Sequence, residues 1–163
     1  MFLGKLIAWA AMREGRFVTF LPAYGAEVRG GTSHCSIIIS DQEIFSPCID
    51  KIDTLIAMNS PSLEKFIALV RAGGDVLVNT SMVSDLRKTG PVNWQAIPFT
   101  DIALKLGAAK SANMVALGAY LAREKMLSAE NILKMLPEAF KNNPKLVELN
   151  AKAIKEGLKY GKG

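Results

Sequence analysis

Residues 53–64 read Asp-Thr-Leu-Ile-Ala-Met-Asn-Ser-Pro-Ser-Leu-Glu, and this stretch decides the fold class. Asp53–Met58 is a short apolar run of the kind that forms a buried strand. Ser60 then offers a helix cap, Pro61 suits the first helical position, and Glu64 adds a carboxylate to the first turn. The pattern predicts a helix to about Arg71, stopped by Gly73-Gly74. A second apolar strand, Asp75–Asn79, follows. A buried strand that passes into a capped helix and back into a buried strand is the unit of a parallel, helix-covered sheet.

The flanks fit that frame. Upstream, Leu3, Leu6, Ile7 and Ala10 recur at helical spacing, which predicts an amphipathic helix from Phe2 to Glu14 with Gly15 as its stop. Phe17–Leu21 reads as a strand ended by Pro22, and Cys35–Ser40 as a strand with the β-branched run Ile37-Ile38-Ile39. Glu43–Phe45 is expected to return as a short hairpin strand, so this region adds an antiparallel element. Downstream, Trp94–Pro98 reads as a strand and Thr100–Leu106 as a helix capped by Thr100-Asp101. Helices are expected over Ala112–Lys125, from a Ser128 cap to Phe140, and from Pro144 onward. The expected fold is α/β: a mostly parallel sheet, helices on both faces and a helical C-terminal third. No repeat or low-complexity stretch divides the 163 residues, so 1–163 reads as one domain.

Composition narrows the function. Half the residues are apolar and 21% are charged, the ordinary balance of a globular protein. The net charge of +5 is concentrated from Lys141 onward, where six lysines face two glutamates. That tail reads as a solvated helix face, and nucleic-acid binding is not expected. The two cysteines, Cys35 and Cys48, form no CxxC pair, so a cluster held on four cysteines of this chain is not expected, nor is a zinc site. Both read as buried packing residues, and two unpaired thiols suit a reducing cytoplasm. No apolar run reaches membrane-spanning length, so no membrane association is expected.

The residues that can carry chemistry gather in loops. Residues 22–33 hold Tyr24, Glu27, Arg29, Thr32 and Ser33 among Gly25, Gly30 and Gly31. Arg29 beside two glycines can offer a guanidinium fork and close backbone approach to an anion, or it can simply pair with Glu27. Asn59 and Asn79 each close an apolar strand, where open parallel sheets frame ligand crevices; ordinary capping explains them as well. His34, the single histidine, has no neighbouring nucleophile and reads as a satisfied structural residue. Asp50 and Asp53 read as turn acids.

Tyr24-Gly25-Ala26-Glu27-Val28-Arg29-Gly30-Gly31-Thr32 resembles the tyrosine–glycine–x–glutamate–x–arginine–glycine–glycine signature of the 2-oxoacid:ferredoxin oxidoreductase gamma subunits. Further blocks at Ile37–Asp41, Ser46-Pro47, Leu55–Leu63, Gly73-Gly74, Asn79–Ser81 and Asn113–Gly118 extend the resemblance over nearly the whole chain. The glycine-glycine-threonine form of the loop looks most like the 2-oxoglutarate type, with pyruvate and branched-chain types as alternatives.

The resemblance implies a Rossmann-like three-layer domain that works beside alpha and beta subunits and a small ferredoxin-like delta subunit. In such an enzyme a 2-oxoacid is decarboxylated on thiamine diphosphate and magnesium, electrons pass through iron–sulfur clusters to ferredoxin, and coenzyme A takes the acyl group. Those cofactors belong to the partner subunits, and the resemblance assigns no catalytic acid or base here. It marks Tyr24, Glu27, Arg29, Gly30, Gly31, Thr32, Asn59, Asn79 and Asn113 as cofactor-binding or subunit-interface residues. The family's opening strand and Gly-x-Gly-Gly-Gln-Gly turn have no counterpart before Met1, so an N-terminally truncated domain is expected. The rival readings are a stand-alone nucleotide-binding enzyme, for which a GxGxxG fingerprint is missing, and a scaffold module of the same fold.

Overall fold

The computed structural model describes residues 1–23 and 33–161. Helix α1 spans Phe2–Arg13 and is followed by strands β1 (Phe17–Ala23) and β2 (His34–Ser40). Strand β3 (Ile52–Ala57), helix α2 (Ser60–Phe66), strand β4 (Val70–Asn79) and strand β5 (Asn93–Ile97) come next. Four helices complete the chain: α3 (Phe99–Lys105), α4 (Ala112–Arg123), α5 (Ala129–Ala139) and α6 (Pro144–Gly157).

The Rossmann-like α/β expectation is met in a parallel sheet of order β3-β4-β5. Alternate residues of its strands feed two cores, as the pleat requires. Leu55, Ala57, Val76 and Val78 face α2 and the segment around Val83. Leu77 and Ile97 face the larger core, built with α1, α3, α4, α5 and α6. The strands are apolar on both faces because helices or irregular chain cover both. The antiparallel element is a separate ribbon: β1 pairs with β2 from Phe17↔Ser40 to Ala23↔His34.

Four sequence expectations are corrected. The Glu43–Phe45 return strand is absent: those residues form no strand, and the antiparallel partner of β2 is β1, along its whole length. Pro22 does not end β1; it sits opposite Cys35 within the ribbon, on a strand with no second neighbour among the described residues, the setting in which a strand tolerates proline. The helix opened by Pro61 stops at Phe66, and after one turn of 3-10 helix the chain is already strand at Val70. Gly73-Gly74 therefore lies inside β4 rather than at a helix end. There the register slips: Ile52 faces Val70, yet Thr54 faces Asp75. Gly73 takes a positive φ of 76°, and a Cβ on Gly74 would stand 2.8 Å from the Asp53 carbonyl oxygen. Finally, Asp53 is no turn acid. It belongs to β3, where its carboxylate pairs with Arg71 across the slip.

Distant carboxylates and glycines fasten the helical layer. Glu14, at the end of α1, accepts from Ser128 N (3.0 Å) and Asn131 Nδ2 (2.7 Å), so it helps cap α5 beside Ser128 itself. Asp75 receives Nε (3.1 Å) and Nη2 (2.6 Å) of Arg123, tying β4 to the end of α4. Helices α4 and α6 touch backbone to backbone, because a Cβ on Gly118 would fall on the Ile154 carbonyl oxygen and one on Gly157 on that of Val115.

Candidate functional site

The parallel strands all deliver their C-terminal ends to one edge, and the polar residues found there are Asn59, Asn79, Thr80, Ser81 and Thr100. Asn79, the last residue of β4, is 1% exposed. Its Nδ2 donates to the Met58 carbonyl (3.3 Å) and to Thr100 Oγ1 (3.0 Å), and its Oδ1 accepts from Thr100 N (3.3 Å). One carboxamide thus joins the ends of β3 and β4 to the start of α3. Ser81 adds a parallel link, its Oγ accepting from Asp101 N at 3.1 Å. The expected Thr100-Asp101 cap is corrected accordingly: Pro98 occupies the cap position without a side-chain bond, and Asn79 and Ser81 satisfy the amides from outside the helix. Asn59, not Ser60, caps α2, with its Oδ1 accepting from Ser62 N at 3.0 Å; the earlier start moves Glu64 out of the first turn.

Of the nine residues marked by sequence, the structure brings Asn59 and Asn79 to this edge. Asn59 is exposed, and half-buried Thr80 and Ser81 directly follow Asn79. Asn113 stands elsewhere, on the first turn of α4. It borders a cleft of about 330 Å³ with Phe2, Lys110, Phe140, Leu146 and Asn150, to which neither Asn59 nor Asn79 contributes. Tyr24, Glu27, Arg29, Gly30, Gly31 and Thr32 lie outside the described residues.

The ribbon fixes where the two ends of that loop attach. His34 pairs with Ala23, and its ring lies 4.5 Å from that of Phe66, the last residue of α2. The Asn59 edge and the base of the loop therefore mark opposite ends of α2, about 10 Å apart for a helix of this length. The histidine is not the satisfied residue expected: its Nδ1 is buried without a hydrogen-bond partner among the described residues. Cys35 packs over Gly4 and is half-buried, whereas Cys48 is exposed, correcting its expected place in the core. Among the described residues no three His, Cys, Asp or Glu side chains converge to hold a metal ion. No helix among them is long and apolar enough to cross a membrane.

Burial and the neighbouring Glu124 carboxylate raise the Tyr120 hydroxyl well above its ordinary pKa of 10.0. On the surface, Lys134 and Lys152 hold the Glu130 and Glu148 carboxyls below their ordinary range through hydrogen bonds and charge. Sequence reading did not find the Asn79–Thr100 and Ser81–Asp101 links. The available signal was two polar residues closing β4 ahead of a helix start that lacks its own cap.

Residues 1–160 match the family described as pyruvate ferredoxin/flavodoxin oxidoreductase. The chain belongs to that family. Its gamma-type character is carried by a solved relative, the keto/oxoacid ferredoxin oxidoreductase gamma subunit of Geobacter sulfurreducens. That chain is 30% identical with a TM-score of 0.82, and the match covers 98% of this chain and 89% of the other. The 2-oxoglutarate synthase subunit KorC of Archaeoglobus fulgidus is 30% identical over 98% of this chain and 80% of its own length. Ketoisovalerate oxidoreductase subunit VorA of Methanothermobacter thermautotrophicus is 35% identical over 98% of this chain, but only 33% of VorA is matched. The chain thus spans about a third of the length of VorA.

Proposed function

We propose that this gamma-type domain is a noncatalytic subunit of a thiamine diphosphate-dependent 2-oxoacid:ferredoxin oxidoreductase. The observation that carries the reading is the match to the family over residues 1–160, together with gamma-type relatives of similar length. Alpha and beta subunits hold thiamine diphosphate and magnesium, iron–sulfur clusters lie in the partner subunits, a ferredoxin-like delta subunit joins them, and ferredoxin accepts the electrons. Coenzyme A is the cosubstrate. The two cysteines of this chain are too few for a four-cysteine cluster. Its part is to position and cover, with the loop 22–33 and the Asn59 edge turned toward partner or cofactor.

The 2-oxoacid is 2-oxoglutarate in the first reading, supported by the glycine-glycine-threonine loop and by the length agreement with KorC. A branched-chain 2-oxoacid is the second, favoured by the higher identity to VorA. The test is co-expression with the partner subunits and measurement of ferredoxin reduction with 2-oxoglutarate, ketoisovalerate and pyruvate. The expected result is turnover by the complex and none by the chain alone. Turnover by the chain alone, or partners that never assemble with it, refutes the proposal.

A further inference from the structure

We infer that the outward face of the β1–β2 ribbon is the docking surface for the polypeptide equivalent to the part of VorA outside this domain, an inference that rests on the subunit reading above. The ribbon's two faces are assigned by its register. Phe20, Cys35 and Ile37 close over Gly4 of α1, so their face is inward. Phe17, Thr19, Leu21 and Ala23, with their partners Ser40, Ile38, Ser36 and His34, form the other face, which α2 meets at its His34 end, through Phe66. Phe17 is 48% and Leu21 40% exposed there. Neither strand, Phe-Val-Thr-Phe-Leu-Pro-Ala or His-Cys-Ser-Ile-Ile-Ile-Ser, contains a lysine, arginine, aspartate or glutamate.

That composition is unusual for a free ribbon. Among the described residues neither strand pairs with a third, so each presents an unpaired edge. Solvent-facing edges are ordinarily guarded by charges, because an uncharged, β-branched edge is a template for aggregation. Loss of charge with retained aromatic and aliphatic side chains is instead the signature of an interface core. The occupant follows from chain length. VorA carries the matched region within a polypeptide of which 67% lies outside it (100% less the 33% matched), so in that relative a large further stretch of chain is covalently held beside the domain and is the occupant at hand. The ribbon is the face whose chemistry suits it.

The experiment is co-expression of this chain with the separate polypeptide that matches the remainder of VorA. The variants are Phe17→Glu, Leu21→Glu and Thr19→Lys, with Leu104→Glu as control on exposed α3. Thr19→Lys adds a charge without removing a large apolar side chain, so it remains informative if either glutamate variant melts early. The expected result is assembly by the native chain and by Leu104→Glu. A desolvated charge should cost about tenfold or more in recovery of the ribbon variants, with the melting temperature of free Thr19→Lys unchanged. Ribbon variants that assemble like the native chain overturn this inference and leave the subunit reading intact. A native chain that never assembles overturns both. A free chain that is a dimer, converted to monomer by the same variants, overturns the choice of occupant in favour of a second copy.

Discussion

Asn79 and Thr100 hold each other in both directions: the Asn79 amide donates to the Thr100 hydroxyl at 3.0 Å, and the Thr100 backbone N–H donates to the Asn79 carbonyl oxygen at 3.3 Å. The pair closes a strand end onto a helix start that has no cap of its own. Asn79→Ala leaves the Thr100 amide and the Met58 carbonyl without this partner. The expected loss is about 1–3 kcal/mol of stability, the usual cost of orphaning buried polar groups. Chemical denaturation of the free chain measures it, and an unchanged midpoint shows that water replaces the clamp.

Gly118 and Gly157 let α4 and α6 meet at their backbones. Gly118→Ala places a methyl group on the Ile154 carbonyl, and the helices must separate. Overpacking of this kind costs about 1–3 kcal/mol or more. Gly15, at a positive φ of 78° with open space around its missing Cβ, is the contrast. There alanine meets only backbone strain, of about 1 kcal/mol. Parallel melting curves of the two variants separate steric from conformational cost; a larger loss at Gly15 reverses the assignment.

Tyr120 makes stability fall at alkaline pH. Its folded pKa is raised above 10.0, because burial and Glu124 disfavour the phenolate. A raised folded pKa means the contribution is fully present below the unfolded pKa and is lost as pH rises above it toward the folded value. Tyr120→Phe should therefore melt with a shallower pH dependence above about pH 10, and the same dependence as the native chain at neutral pH. Identical slopes for both proteins in the alkaline range refute the assignment.

Arg29 tests the loop. If residues 22–33 serve the assembled enzyme, Arg29→Ala lowers turnover of the reconstituted complex while shifting the free chain's stability by no more than about 0.5 kcal/mol. Normal turnover with an early melt makes the loop structural.

The fold class was legible because its signals are local. The apolar runs at 53–58 and 75–79 and the Ser128 and Pro144 helix starts depend on neighbours in sequence, and they form strands and helices near the expected bounds. The misreadings share one cause. Gly73-Gly74 looks like a helix stop, and only the β3 partner reveals it as a register slip within β4. Glu43–Phe45 looks like a return strand because the sequence does not disclose that the antiparallel partner of β2 lies upstream, in β1. The site follows the same rule: Pro61 locally announces a helix start, though read one residue late with Ser60 as the cap in place of Asn59, whereas the role of Asn79 is set by Thr100, 21 residues away.

Glu14 gives the chain a schedule. The carboxylate that ends α1 meets Ser128, 114 residues later, and Leu6, Ile7 and Ala10 of that helix share a core with α5 and α6. On a ribosome adding about 5–20 residues per second, α1 waits roughly 6–25 seconds for these partners to be made. Through most of that interval the β1–β2 ribbon is the main native neighbour at hand among the described residues, and it covers only part of the apolar stripe. During synthesis part of that apolar stripe therefore stays uncovered, and the larger core can close only once the C-terminal helices have emerged.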